Sequence, residues 1–280
     1  MARNTLHVRK PKVSGELVTN LTKAYLETCQ GYAIDRAIAD PKLNAEFLQA
    51  CREFGIPLAP VDCNRRLLGL RKAAKLSLPT PKRTLIYWTE LEPFAFASEI
   101  AWLILAEREE VSLDDILCDP TLAIEFDQIA GRFDDPKRSS FDYRWAALTL
   151  RKRAKFKRKM AKQAPVPTKA RNVLSAAGTP LAESTSVKQQ PGIYSIQYAS
   201  KALYVGDTSN LSDRIARHCK NWTAFEILVP KQKLTESELF VSVSPSPKLA
   251  TEEREGQHSR ILSLLQPRLF NPKQAYKPNP

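Results

Sequence analysis

Tyr194, Tyr204, Arg214 and His218 follow one another at intervals of ten, ten and four residues, and their types suit chemistry at a phosphoryl group. Hydrolysis of a phosphodiester needs a nucleophilic water, a group that orients or deprotonates it, and a cation that neutralises charge on the phosphoryl oxygens. Phenol, imidazole and guanidinium supply most of that set. Arg214 and His218 are four apart on a predicted helix, so they share a face and can point at one anion.

The elements that must position them are legible around them. Residues 192–198 and 203–206 are rich in aromatic and β-branched types and are separated by a short polar link, the pattern of a β-hairpin. Asp207-Thr208-Ser209-Asn210 then supplies several N-cap oxygens before a helix on which Leu211 and Ile215 form an apolar stripe.

Pro191-Gly192-Ile193-Tyr194, Tyr204-Val205-Gly206, Arg214 and His218 together resemble the GIY-YIG nuclease family, over about residues 188–275. The resemblance implies a small three-stranded antiparallel sheet flanked by helices and a DNA endonuclease that uses one divalent metal. Tyr194 would be the base or water-orienting phenol, Tyr204 would line the site, Arg214 would clamp the phosphate and His218 would be an auxiliary donor or proton carrier.

The family's metal ligand is a glutamate on a later helix, about nine residues before a proline that is soon followed by asparagine. Here the helix is predicted over 249–265, and Pro267 and Asn271 follow it. Counting back from Pro267 lands on His258, with Glu255 one turn upstream. Either Glu255 takes the metal or His258 serves as a softer ligand. Mg²⁺ prefers carboxylate oxygen, whereas a histidine site suits Mn²⁺ or Zn²⁺ better. A fold of this kind with an impaired site, binding nucleic acid without cutting it, is the alternative.

The chain has 280 residues, 43% of them hydrophobic, and a net charge of +13, enough for two domains. No run has the length of a membrane span and the start lacks the apolar stretch of a signal peptide, so a cytoplasmic or nucleoid location is expected. Five cysteines without a CxxC pair predict free thiols. Residues 1–142 carry 19 basic and 21 acidic groups, while residues 143–182 carry 11 basic groups and no acid. Arg151, Lys152, Arg153, Lys155, Lys157, Arg158 and Lys159 lie in that tract, which predicts salt-sensitive contact with DNA phosphates.

The N-terminal half repeats itself. Residues 39–47 match 118–126 at an offset of 79, and after one extra residue 62–75 match 142–155. In both copies Asp-Pro reads as N-cap and first helical residue. The expectation is an α+β protein: a duplicated all-helical domain over 1–160 with units near 17–76 and 95–156, a basic, Pro-containing linker over 161–187, and the nuclease-like domain over 188–280. The leading helices are predicted near 17–29 and 94–107. Arg71 and Lys72, matching Arg151 and Lys152, are further candidates for DNA contact. Positioning of DNA and homodimerisation are both open roles for the helical half.

Overall fold

The computed structural model describes residues 15–74, 76, 80–163, 168–199, 201–228 and 234–265. It is an α+β protein and separates into two compact units, Met1–Thr84 and Leu85–Pro280. The break falls between the two predicted helical copies, so the second copy shares a compact unit with the sheet. No described helix is long and apolar enough to cross a membrane.

The first unit contains helices α1 (Gly15–Thr28), α2 (Ile34–Ala39), α3 (Pro41–Glu53) and α4 (Pro60–Lys72). The Asp40 carboxylate accepts from the amides of Lys42 and Leu43 and so caps α3. Leu21, Phe47 and Leu67 are fully buried, and one polar pair lies inside. Asn44 donates to the Asn64 side-chain carbonyl at 2.8 Å and receives a bond back at 3.2 Å, which satisfies amides that would otherwise be costly to bury.

The second unit opens with α5 (Trp88–Glu109), α6 (Leu113–Cys118), α7 (Pro120–Phe133) and α8 (Ser140–Gln163). Asp119 caps α7 as Asp40 caps α3, accepting from the amides of Thr121 and Leu122. Helix α5 starts six residues earlier than its apolar pattern suggests. The Glu90 carboxylate accepts from the Tyr87 amide at 2.7 Å and fixes the start, and the helix runs on through Pro93, which gives up one backbone hydrogen bond.

After α8 come α9 (Thr168–Ser175), β1 (Thr179–Pro180), β2 (Gly192–Tyr198), β3 (Lys201–Thr208), α10 (Leu211–Lys220), β4 (Leu239–Pro245) and α11 (Thr251–Leu265). The sheet has four antiparallel strands in the order β1-β4-β2-β3, not three. The segment expected to be a linker therefore supplies both α9 and the edge strand β1. The Ser195 hydroxyl and the Gln197 amide, pointing from β2, donate to the Leu174 carbonyl at 2.9 and 2.7 Å. Leu174 joins Ile193, Val205 and Ile261 in a buried cluster. This ties α9 and α11 to one face of the sheet.

Candidate active site

Strand alternation puts Tyr194 of β2 and Tyr204 of β3 on the other face. Tyr194 pairs with Gly206, and Ile196 with Tyr204. The Tyr194 ring crosses the strand at Gly206: a Cβ there would meet Tyr194 Cζ at 2.6 Å. This glycine is needed for room, so the phenol can lie over β3. Gly192 has a similar role, because a Cβ would meet a Leu211 methyl at 2.5 Å and the Ser244 carbonyl oxygen at 2.8 Å. The α10 N-terminus can then sit close to the strand, with Asn210 Oδ1 accepting from the Asp213 amide.

Helix α10 presents Arg214 and His218 to this face. Tyr194 is the hub. Its hydroxyl lies 3.0 Å from His218 Nε2 and receives a long bond from Arg214 Nη1 at 3.5 Å, while the Tyr204 ring is 6.0 Å away, centroid to centroid. All four predicted residues converge, and all four are buried.

The first half of α5 covers them. Arg214 Nη2 donates to the Glu92 carbonyl at 2.8 Å and lies 3.1 Å from Glu92 Oε1. The Tyr204 hydroxyl donates to Glu99 at 2.9 Å. Phe96 lies between these acids on the helix, with the Arg214 guanidinium carbon 4.4 Å from its ring centroid and the His218 ring edge-on at 4.9 Å. Thr208 Oγ1, the Ser209 amide and the Ser209 hydroxyl also donate to the Glu92 carboxylate, at 3.0, 3.2 and 3.0 Å.

Burial pushes the Tyr194 phenol up to about 12, against the pull of the Arg214 charge. Burial also raises Tyr204 well above the ordinary tyrosine value, and Glu99 adds to the effect. For Arg214 burial works against the charge, but Tyr194, Glu92 and Tyr204 more than offset it and hold the guanidinium above its usual value. His218 is driven well below the ordinary histidine value by burial and then by Arg214. At neutral pH the site therefore holds a protonated phenol, a cationic arginine and a neutral imidazole.

The residues singled out for a metal lie on α11. Glu255 is buried and pairs through Oε1 with Arg153 of α8. His258 Nε2 donates to the Val205 carbonyl at 3.0 Å, and its Nδ1 lies 3.1 Å from Asp207 Oδ1. Lys157 Nζ donates to Asp207 at 3.2 Å, and Arg254 Nε approaches the other Asp207 oxygen at 3.8 Å. Burial opposes the charge on Asp207, yet Lys157, His258 and Arg254 hold it well below the usual carboxylate range. Lys157 is likewise raised despite burial, by Asp207, Glu255 and Glu99. Arg153, Lys157 and Arg254 thus already surround the carboxylates of Glu255 and Asp207, so these residues as arranged do not fit a divalent cation. Among the described residues no group of three or more His, Cys, Asp or Glu side chains is placed to hold a metal. Pro267 and Asn271 lie outside the described residues.

The basic tract divides by helix face. Arg151 pairs with Asp114, Arg153 with Glu255 and Lys157 with Asp207, while Arg144 grips Asp127 through two bonds of 3.0 and 2.6 Å. Lys152, Arg158 and Lys159 are exposed. Lys152 also sits 5.4 Å from the centroid of the Trp145 ring, and Arg158 Nε donates to the Ala154 carbonyl. The Lys155 side chain lies outside the described residues. In the first unit Arg71 pairs with Asp35, while Lys72 is exposed.

Thr208, Ser209, Glu92, Phe96 and Glu99 were not singled out from the sequence. Thr208 and Ser209 were visible only as N-cap candidates for α10. Glu92 precedes Pro93, and the apolar pattern places the helix start after that proline. No family model, curated protein or solved structure matches this chain.

Proposed function

We propose that the second unit is a GIY-YIG-type endonuclease domain that hydrolyses phosphodiester bonds in DNA. The observation that carries this reading is the convergence of Tyr194, Tyr204, Arg214 and His218 around one hydroxyl. Gly206 clears the space that the Tyr194 ring occupies. A buried guanidinium that stays charged is suited to neutralise a phosphoryl group as charge builds on it. A phenol near 12 keeps its proton at neutral pH, so Tyr194 orients water by hydrogen bonding. As the water oxygen attacks phosphorus, its proton passes to the Tyr194 oxygen and the phenolic proton to the neutral His218 Nε2, while the P–O bond to the departing strand breaks and the leaving oxygen keeps the electron pair and takes up a proton from solvent.

The exposed Lys152, Arg158 and Lys159 are the DNA-facing part of α8 in this proposal. The helical half is a duplicated unit. Besides the matched Asp-Pro caps, an ion pair recurs at matched positions, Arg71 with Asp35 and Arg151 with Asp114. These two arginines hold each copy together, and DNA contact falls to their exposed neighbours Lys72 and Lys152.

A second reading, a nucleic-acid-binding protein of the same fold that does not cut, is favoured by one observation: Arg153 engages the Glu255 carboxylate that a metal needs. Incubation of supercoiled plasmid with protein in Mg²⁺ or Mn²⁺, with Arg214→Ala as control, separates the two. Nicking or linearisation that requires Arg214 supports the nuclease. Tight binding with no cleavage in either metal supports the second reading.

A further inference from the structure

Four donors converge on the Glu92 carboxylate: the Arg214 guanidinium, the Thr208 hydroxyl, and the amide and hydroxyl of Ser209. Such a set, with one fixed cation, two hydroxyls and a backbone amide, is suited to a phosphate oxyanion at least as well as to a carboxylate.

We propose that α5 carries an internal stand-in for a nucleic-acid complex: the Glu92 carboxylate fills the seat of a phosphodiester. Thr208 and Ser209 are then phosphate-binding residues alongside Arg214. The inference rests on the nuclease reading for the identity of the ligand.

Two further observations support it. Buried ion pairs cost desolvation that apolar side chains of similar size would avoid, so a joint built only for stability would not need the Glu92–Arg214 pair. A site that must exchange its occupant for a charged ligand does need it. In addition, the Glu92 seat lies at the rim. Its side chain is 16% exposed against 4% for Arg214, and Ser209 is exposed, so an incoming phosphate has a side from which to displace the carboxylate.

The test uses the full chain and a 5′-phosphorylated DNA dinucleotide, too short to span the basic face of α8, titrated calorimetrically in EDTA. Glu92→Gln should bind it about tenfold more tightly than wild type, equivalent to about 1.4 kcal/mol, and the gain should vanish when Arg214→Gln is added. Equal affinity in wild type and Glu92→Gln overturns the proposal. Should Glu92→Gln fail to fold, hydrogen exchange of wild type decides. Saturating dinucleotide should speed exchange in Trp88–Ile100, and slower or unchanged exchange there overturns it. Plasmid cleavage is scored apart from these. Tighter dinucleotide binding without cleavage in any variant retires the nuclease reading and keeps the seat. Cleavage with unchanged binding does the reverse.

Discussion

Glu92 and Arg214 are 122 residues apart in the chain, yet the arginine donates from one nitrogen to both the backbone carbonyl and the carboxylate of the glutamate. That double contact joins the start of α5 to the residue best suited to hold a phosphate. It makes Arg214 a structural counter-ion as well as a candidate clamp, and the two roles can be measured separately.

Arg214→Ala should abolish cleavage and also destabilise the fold. Removing the guanidinium leaves the Glu92 charge with neutral donors only and no cation, and breaking a buried pair costs about 3–5 kcal/mol. Urea unfolding beside plasmid cleavage checks this. Unchanged stability together with lost cleavage would mean that Glu92 does not depend on Arg214.

Gly206→Ala should destabilise by about 1–3 kcal/mol, the usual range for overpacking, because the new methyl meets the Tyr194 ring. Shortening the ring makes room, so Tyr194→Ala with Gly206→Ala should lose less stability than the sum of the two single changes. Additive losses would place the strain somewhere other than the Tyr194 ring.

Stability should fall with pH below about 6.5, the ordinary histidine value. His218 is held well below that value in the fold, so the unfolded chain takes up a proton there that the folded chain does not. The stabilising difference is complete above that pH and is lost as pH falls, by up to about 1.4 kcal/mol per unit for one proton. Asp207, an acid held low by its cationic neighbours, adds a separate loss that begins only below the unfolded aspartate value, near 4. Urea midpoints at several pH values between 5 and 7.5 should show a flatter profile for His218→Gln than for wild type. Parallel profiles would exclude His218 as the source.

Changing Lys152, Arg158 and Lys159 together to Gln should flatten the dependence of log DNA affinity on log salt by up to about 0.9 for each phosphate no longer neutralised. Arg151→Gln should instead lower stability while leaving that slope nearly unchanged, because its partner is Asp114. A filter-binding titration at several salt concentrations distinguishes the two. An Arg151 effect on the slope as large as that of an exposed lysine would reassign it to the DNA surface.

Features carried by local sequence were legible without the structure. Asp40 and Asp119 cap the helices that follow them because an N-cap bond spans only two or three residues. Tyr194, Tyr204, Arg214 and His218 come together because one hairpin and the next helix suffice to position them. The two-residue strand Thr179–Pro180 and the docking of α9 were not legible, since both depend on partners far along the chain. Helix periodicity likewise shows that α8 is basic, but not which of its cations turn inward to Asp207, Glu255 and Asp114. The sequence by itself determined which groups could meet a phosphate. Only the tertiary structure decided that Glu92 bonds Arg214, Thr208 and Ser209 and that Lys157 bonds Asp207, because a long-range ion pair depends on how α5 and α8 pack against β3 and α11, and that packing leaves no local pattern to read.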